Sequence, residues 1–138
     1  MLASCSARAR NTSRRNQWGI PLVPEPVLIG APRTEEVIAE EEKIARVPYD
    51  LGAHIIKIAF PGEERTRRLV DELKVPLVIA DGPLAEEPSD TVDAVAQTIR
   101  AGARGVIVGR NIWQRERNDG QKVLADNAKL TRPVKFDD

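Results

Sequence analysis

Short, almost unbroken apolar runs alternate along this chain with longer segments in which apolar residues recur every three or four positions. The runs are IPLVPEPVLIG (20–30), HIIKIAF (54–60), VPLVIAD (75–81) and GVIVGR (105–110), all rich in Val and Ile. Runs this continuous predict strands covered on both faces, as in a parallel sheet, because a half-solvated strand alternates apolar with polar positions. Between them lie TEEVIAEEEKIARVPYDLG, GEERTRRLVDELK and PSDTVDAVAQTIRAGARG, which open on acids or capping residues suited to a helix N-terminus. Strand-to-strand spacings of roughly 20 to 30 residues match right-handed βαβ crossovers. The fold expectation is therefore α/β, with four strands that make half of a (β/α)8 barrel or a small open sheet.

The third helical segment is the best defined. Val92, Val95, Ala96 and Ile99 form its apolar stripe, Ser89 or Asp90 can cap its start, and Gly102 can end it in a left-handed turn. The first segment contains Pro48, which lacks an N–H and would clash with the carbonyl of Ile44 at a cost of about 3 kcal/mol, so a kink or stop is expected near Val47. Beyond the last strand a helix is expected over 122–130, with Gly120 breaking the connection and residues 131–138 fraying.

Composition narrows the class. The 138 residues suit one domain, expected over 18–130, and 21 basic against 21 acidic residues create no global field that would recruit nucleic acid or a membrane surface. Cys5 is the only cysteine, which excludes a disulfide framework and a cysteine-based metal site and suggests a reducing, cytoplasmic setting. No apolar run reaches the roughly 18 residues of a membrane span. Residues 1–17 carry four arginines, serines and no acid, a composition shared by organelle transit peptides, although a disordered or misassigned start is the simpler reading. His54 is the only histidine and cannot anchor a typical zinc site.

Two stretches carry candidate chemistry. In HIIKIAF, alternation puts Ile56, Ile58 and Phe60 on one face for packing and Ile55, Lys57 and Ala59 on the other. An ammonium among apolar groups is costly unless paired, and a lysine so placed can attack a carbonyl to form a Schiff base. The competing reading is an edge-strand lysine that reaches water or pairs with Asp50 or Asp81. The second stretch, RGVIVGRNIWQ, runs from a strand into Gly109, Arg110 and Asn111, following ADGPL, which offers Gly82 in the preceding turn. Two glycine turns after adjacent parallel strands, with a guanidinium beside them, suit a phosphate, although GRN alone is equally a tight turn with a surface arginine.

Taken together, LGAHIIKIAF, VPLVIADGP and AGARGVIVGRNIWQRE resemble the C-terminal half of the DhnA-type class I fructose-bisphosphate aldolases, which are related to the DeoC and LacD aldolases. The resemblance implies a partial TIM (β/α)8 barrel of about four βα units, completed by a second copy or by a separate N-terminal half. It implies a Schiff-base aldolase of carbohydrate metabolism that interconverts fructose 1,6-bisphosphate with dihydroxyacetone phosphate and glyceraldehyde 3-phosphate. No metal or other cofactor would be needed, only a covalent iminium on Lys57. The sugar phosphate would be held by Gly82, Gly109 and Arg110.

Three positions depart from the family pattern. Ala31 stands where a proton-transferring tyrosine is usual, Leu84 where a lysine is common, and Asp81 where a glycine is usual. Asp81 is a candidate for proton transfer, and as a carboxylate at the phosphate turn it would repel the substrate. The alternatives implied are a catalytically degenerate half barrel that binds phosphate or assembles with another chain, and a related transaldolase-like or thiolase activity.

Overall fold

The computed structural model describes residues 17–28, 30 and 34–131. The basic start and most of the C-terminal tail lie outside the described residues, as does Ala31. Helix α1 (Glu35–Ile44) is followed by the short α2 (Arg46–Asp50), then β1 (Ile56–Ala59), α3 (Glu63–Leu73), β2 (Leu77–Ala80), α4 (Pro88–Arg100), β3 (Gly105–Ile107), α5 (Arg110–Trp113) and α6 (Arg117–Leu130). The three strands form one parallel sheet in the order β1-β2-β3. The expected βα alternation is thus present, with three strands rather than four among the described residues.

The missing strand has a local cause. Residues 22–24 run beside β1 in parallel, with Ile55 N–H donating to the Leu22 carbonyl (3.3 Å) and Lys57 N–H to the Pro24 carbonyl (3.0 Å). A parallel ladder needs return bonds from the N–H groups of residues 24 and 26, and both are prolines. The segment therefore lies along the sheet with half of its ladder, held also by Leu22 N–H donating to Nδ1 of His54 (3.1 Å).

The core lies on the predicted side of the sheet. Ile56, Ile58, Leu77 and Ile79 are at most 3% exposed and pack with Leu69 and Leu73 of α3. Side chains of this size contribute about 1.5–3 kcal/mol each when buried. The opposite face carries Ile55, Lys57, Ala59, Val78, Ala80 and Ile107 and is more open, with Ile107 45% exposed.

Helix ends differ from the expected ones where packing outweighs local signals. The break expected near Val47 falls at Ala45, which places Pro48 in the first turn of α2, where no intrahelical donor is required. In α4 the N-cap is Glu87, and Asp90 accepts from the Glu87 N–H instead of capping the helix itself (3.3 Å). Its deepest residues are Thr91, Val95 and Thr98, flanked by half-buried Val92, Ala96 and Ile99. Gly102 takes the expected left-handed conformation at φ +95°.

Gly120 does not break the last helix but lies buried inside α6. A Cβ there would meet the Ile112 carbonyl oxygen at 2.4 Å, so the glycine permits α6 to lie directly on α5. Gly120→Ala gains helix propensity of about 1 kcal/mol, yet overpacking against backbone costs about 1–3 kcal/mol. Net destabilisation in urea unfolding is the expected outcome, with Gly120→Ser no better.

Candidate active site

Lys57 lies on the open face, in β1 at the edge of the three-stranded sheet and beside the 22–24 segment. Its row across the sheet is set by register, with Lys57 opposite Val78 and Val78 opposite Gly105. On the other side of β1, the bonds to the Leu22 and Pro24 carbonyls put Glu25 level with Lys57 on the same face. The Lys57 ammonium donates to Oε2 of Glu25 at 2.8 Å, and the two side chains are 23% and 34% exposed. The partner is therefore neither Asp50 nor Asp81, the two carboxylates expected from the sequence. Asp50 is exposed on α2, and the Asp81 carboxylate is occupied elsewhere.

The second cluster joins the loops after β2 and β3. Oδ2 of Asp81 accepts from Gly109 N–H (2.9 Å), Asn111 N–H (3.1 Å) and Asn111 Nδ2 (3.3 Å). Asn111 is 1% exposed and binds the 81–87 loop from both ends of its amide. Its Nδ2 donates to the Pro83 carbonyl at 2.9 Å, and its Oδ1 accepts from Ala85 N–H at 2.9 Å and from the Thr91 hydroxyl at 3.1 Å. Arg115 extends the clamp, donating to the carbonyls of Ala85 (2.9 Å), Asn111 (3.1 Å) and Glu87 (3.2 Å).

Of the residues singled out in the sequence, Asp81, Gly109 and Arg110 are drawn together at the C-terminal ends of β2 and β3. Gly82 lies in the adjoining turn at φ +67°, and Arg110 is exposed at the start of α5. Lys57 lies on the neighbouring strand, level with Val78, three residues before Asp81 in the register. Gly109 N–H, a candidate phosphate donor, is donated to Asp81. Sequence reasoning passed over Glu25, Asn111 and Arg115. Glu25 carried a signal equal to that of Lys57, a charged residue inside an apolar run, whereas Asn111 and Arg115 had only their place behind GR to mark them.

The geometry is a lysine–carboxylate pair on the open face of a parallel sheet, beside a carboxylate-filled turn at the strand ends. It sets an ammonium against a carboxylate that can accept a proton, and a lysine relieved of its proton can add to a carbonyl. Comparisons with known proteins find relatives among aldolases. An uncharacterized aldolase of Saccharolobus solfataricus is 29% identical over 129 residues, covering 88% of this chain and 47% of its own length. The class 1 fructose-bisphosphate aldolase of Thermoproteus tenax is 37% identical over 73 residues, which is 51% of this chain and 28% of that protein. Among solved structures, a Schiff-base-forming fructose-1,6-bisphosphate aldolase superposes with a TM-score of 0.80 at 29% identity, over 94% of this chain and 52% of the other. The chain thus spans about half the length of that aldolase, and its α/β fold corresponds to part of a TIM barrel. A family profile described as DeoC/LacD family aldolase matches residues 3–115, a span that takes in the whole sheet, Glu25, Lys57 and the Asp81–Asn111 clamp, and the chain belongs to that family.

Proposed function

We propose that this chain supplies the covalent half of an aldolase site, with Lys57 as the amine that forms the Schiff base and Glu25 as the group that takes and returns its proton. The observation that carries this reading is the 2.8 Å contact between Lys57 Nζ and Glu25 on the open face of the sheet. The ammonium passes a proton to Glu25, and the freed amine attacks the substrate carbonyl to give a carbinolamine that loses water to an iminium. The iminium draws in the electron pair of the carbon–carbon bond beyond the adjacent carbon as the hydroxyl across that bond gives up its proton. An aldehyde leaves and an enamine stays on Lys57; protonation of the enamine and hydrolysis return the ketone and the free lysine.

Fructose 1,6-bisphosphate, cleaved to dihydroxyacetone phosphate and glyceraldehyde 3-phosphate, is the form of this reaction that the relatives' names favour. The Asp81 carboxylate, seated on the Gly109 and Asn111 N–H groups, favours a second form in which the ketone carries no phosphate at that end. Exposed Ile107 and the open face around Lys57 favour further βα units covering the site in the working enzyme, from a second copy or a separate N-terminal half.

The test is reductive trapping. The folded chain is incubated separately with dihydroxyacetone and with its phosphate, treated with sodium borohydride, digested and mapped by mass spectrometry. A stable adduct on the peptide that contains Lys57 is the expected result; adducts only at exposed lysines such as Lys122 or Lys129, or none, would remove the basis for this function.

A further inference from the structure

Three donors converge on a single carboxylate oxygen at the ends of β2 and β3: the N–H groups of Gly109 and Asn111 and the side-chain amide of Asn111, all on Oδ2 of Asp81. Oriented N–H groups of this kind are what a bound anion uses, and here the chain's own anion uses them. Oδ1 of Asp81 takes no donor among the described residues, and Asp81 is only half-buried, so this oxygen can accept from an incoming group. The register places Asp81 three residues beyond the Lys57 row, about 10 Å along the strand direction.

We propose that Asp81 is the specificity-determining residue of this site. It occupies the anion position between the β2 and β3 loops with a built-in carboxylate and so selects a carbonyl substrate with an uncharged, hydroxyl-bearing end over one that ends in phosphate. The inference rests on Lys57 acting as the Schiff-base amine. Two features make the selection. The backbone N–H groups that would receive a phosphate are already satisfied, and a phosphate brought alongside would face a negative charge at short range. A hydroxyl, by contrast, donates to Oδ1 and leaves the existing bonds intact. Arg110, exposed at the start of α5, forms no ion pair with Asp81 among the described residues, so the Asp81 charge stands unneutralised beside the anion position.

The test compares the wild-type chain with Asp81→Gly and Asp81→Asn. The second variant keeps the side chain's shape and its acceptor oxygen, so it preserves the loop if the glycine variant unfolds. Borohydride trapping with dihydroxyacetone and with dihydroxyacetone phosphate at equal concentration is quantified at Lys57, and inorganic phosphate is titrated into each protein by calorimetry. The wild-type chain is expected to favour the unphosphorylated ketone, both variants to shift the ratio toward the phosphate by about tenfold or more, and inorganic phosphate to bind a variant but not the wild type. Equal or better trapping of the phosphorylated ketone by the wild-type chain overturns the proposal, as does phosphate binding that neither substitution changes. Absence of a Lys57 adduct in all three proteins instead defeats the Schiff-base reading, and the phosphate titration then decides the role of Asp81 alone.

Discussion

Lys57→Met is expected to abolish borohydride-trappable adduct at that peptide and to lower aldol turnover by about four orders of magnitude or more, the scale on which loss of a covalent nucleophile acts. Glu25→Gln is expected to behave differently. The glutamine amide cannot take a proton from the lysine, so adduct still forms at Lys57 but more slowly, by about 10²- to 10⁴-fold. Neither change should unfold the chain, because an ion pair whose members are 23% and 34% exposed contributes about 0–1 kcal/mol. Thermal melting therefore separates the chemical role from a structural one. If Glu25 only anchors the 20–28 segment to β1, its replacement lowers the melting temperature and leaves the trapping rate unchanged. If it moves the proton, the rate falls at constant stability, and Glu25→Asp recovers only part of it because the shorter carboxylate no longer meets Nζ.

The strands were legible because continuous runs of Val and Ile are hard to disguise, although the cover such runs imply on both faces is found on one, with Ile107 45% exposed on the other. Ile56 and Ile58 had to face the helices if Lys57 was not to, and the structure buries both. Element ends were less legible, because they depend on partners distant in sequence. Gly120 reads as a helix breaker until α5 lies against it, when the glycine becomes the residue that admits the contact. Thr91 and Thr98 look polar in a stripe of Val and Ile, yet they are among the deepest residues of α4, and the Thr91 hydroxyl is satisfied by Asn111. The first strand was lost for a reason visible in the sequence, since Pro24 and Pro26 remove alternate donors from one side of IPLVPEPVLIG.

The site divides in the same way. Lys57 could be found from the expense of a charge in an apolar run, and the same argument applied to Glu25 in VPEPVL would have found its partner. The Asp81 contacts could not be read so simply. Repulsion of a phosphate follows from its charge, but that its carboxylate takes the N–H groups of residues 28 and 30 positions away depends on how two loops meet. The residue that makes them meet is Asn111, which no charge or period marks.

Asn111→Ala is accordingly expected to be the most destabilising single change in the Asp81–Asn111 clamp. The substitution leaves the Pro83 carbonyl, the Ala85 N–H and the Thr91 hydroxyl without the partners they now hold at 2.9, 2.9 and 3.1 Å, and it empties a position that is 1% exposed. Each buried group left unpaired costs about 1–3 kcal/mol, and the sum belongs with the large effects of about 3–5 kcal/mol that broken buried networks produce. For a domain of this size that corresponds to a fall of about 10–20 °C in melting temperature. Asn111→Asp is nearly isosteric and still accepts from Ala85 and Thr91, but it loses the three Nδ2 donations, to the carbonyls of Asp81 and Pro83 and to the Asp81 carboxylate, and sets a second carboxylate against Asp81. It is expected to be no milder than alanine, and less so at low ionic strength, where the repulsion is least screened. The double variant Asn111→Asp with Asp81→Asn removes that repulsion while the amide oxygen at position 81 still accepts from the backbone N–H groups of residues 109 and 111. Recovery of more than half the lost stability in the double variant, measured by urea unfolding, would show that the two loops are held by the Asp81–Asn111 pair itself. Simple additivity of the two losses would assign the effect to packing alone.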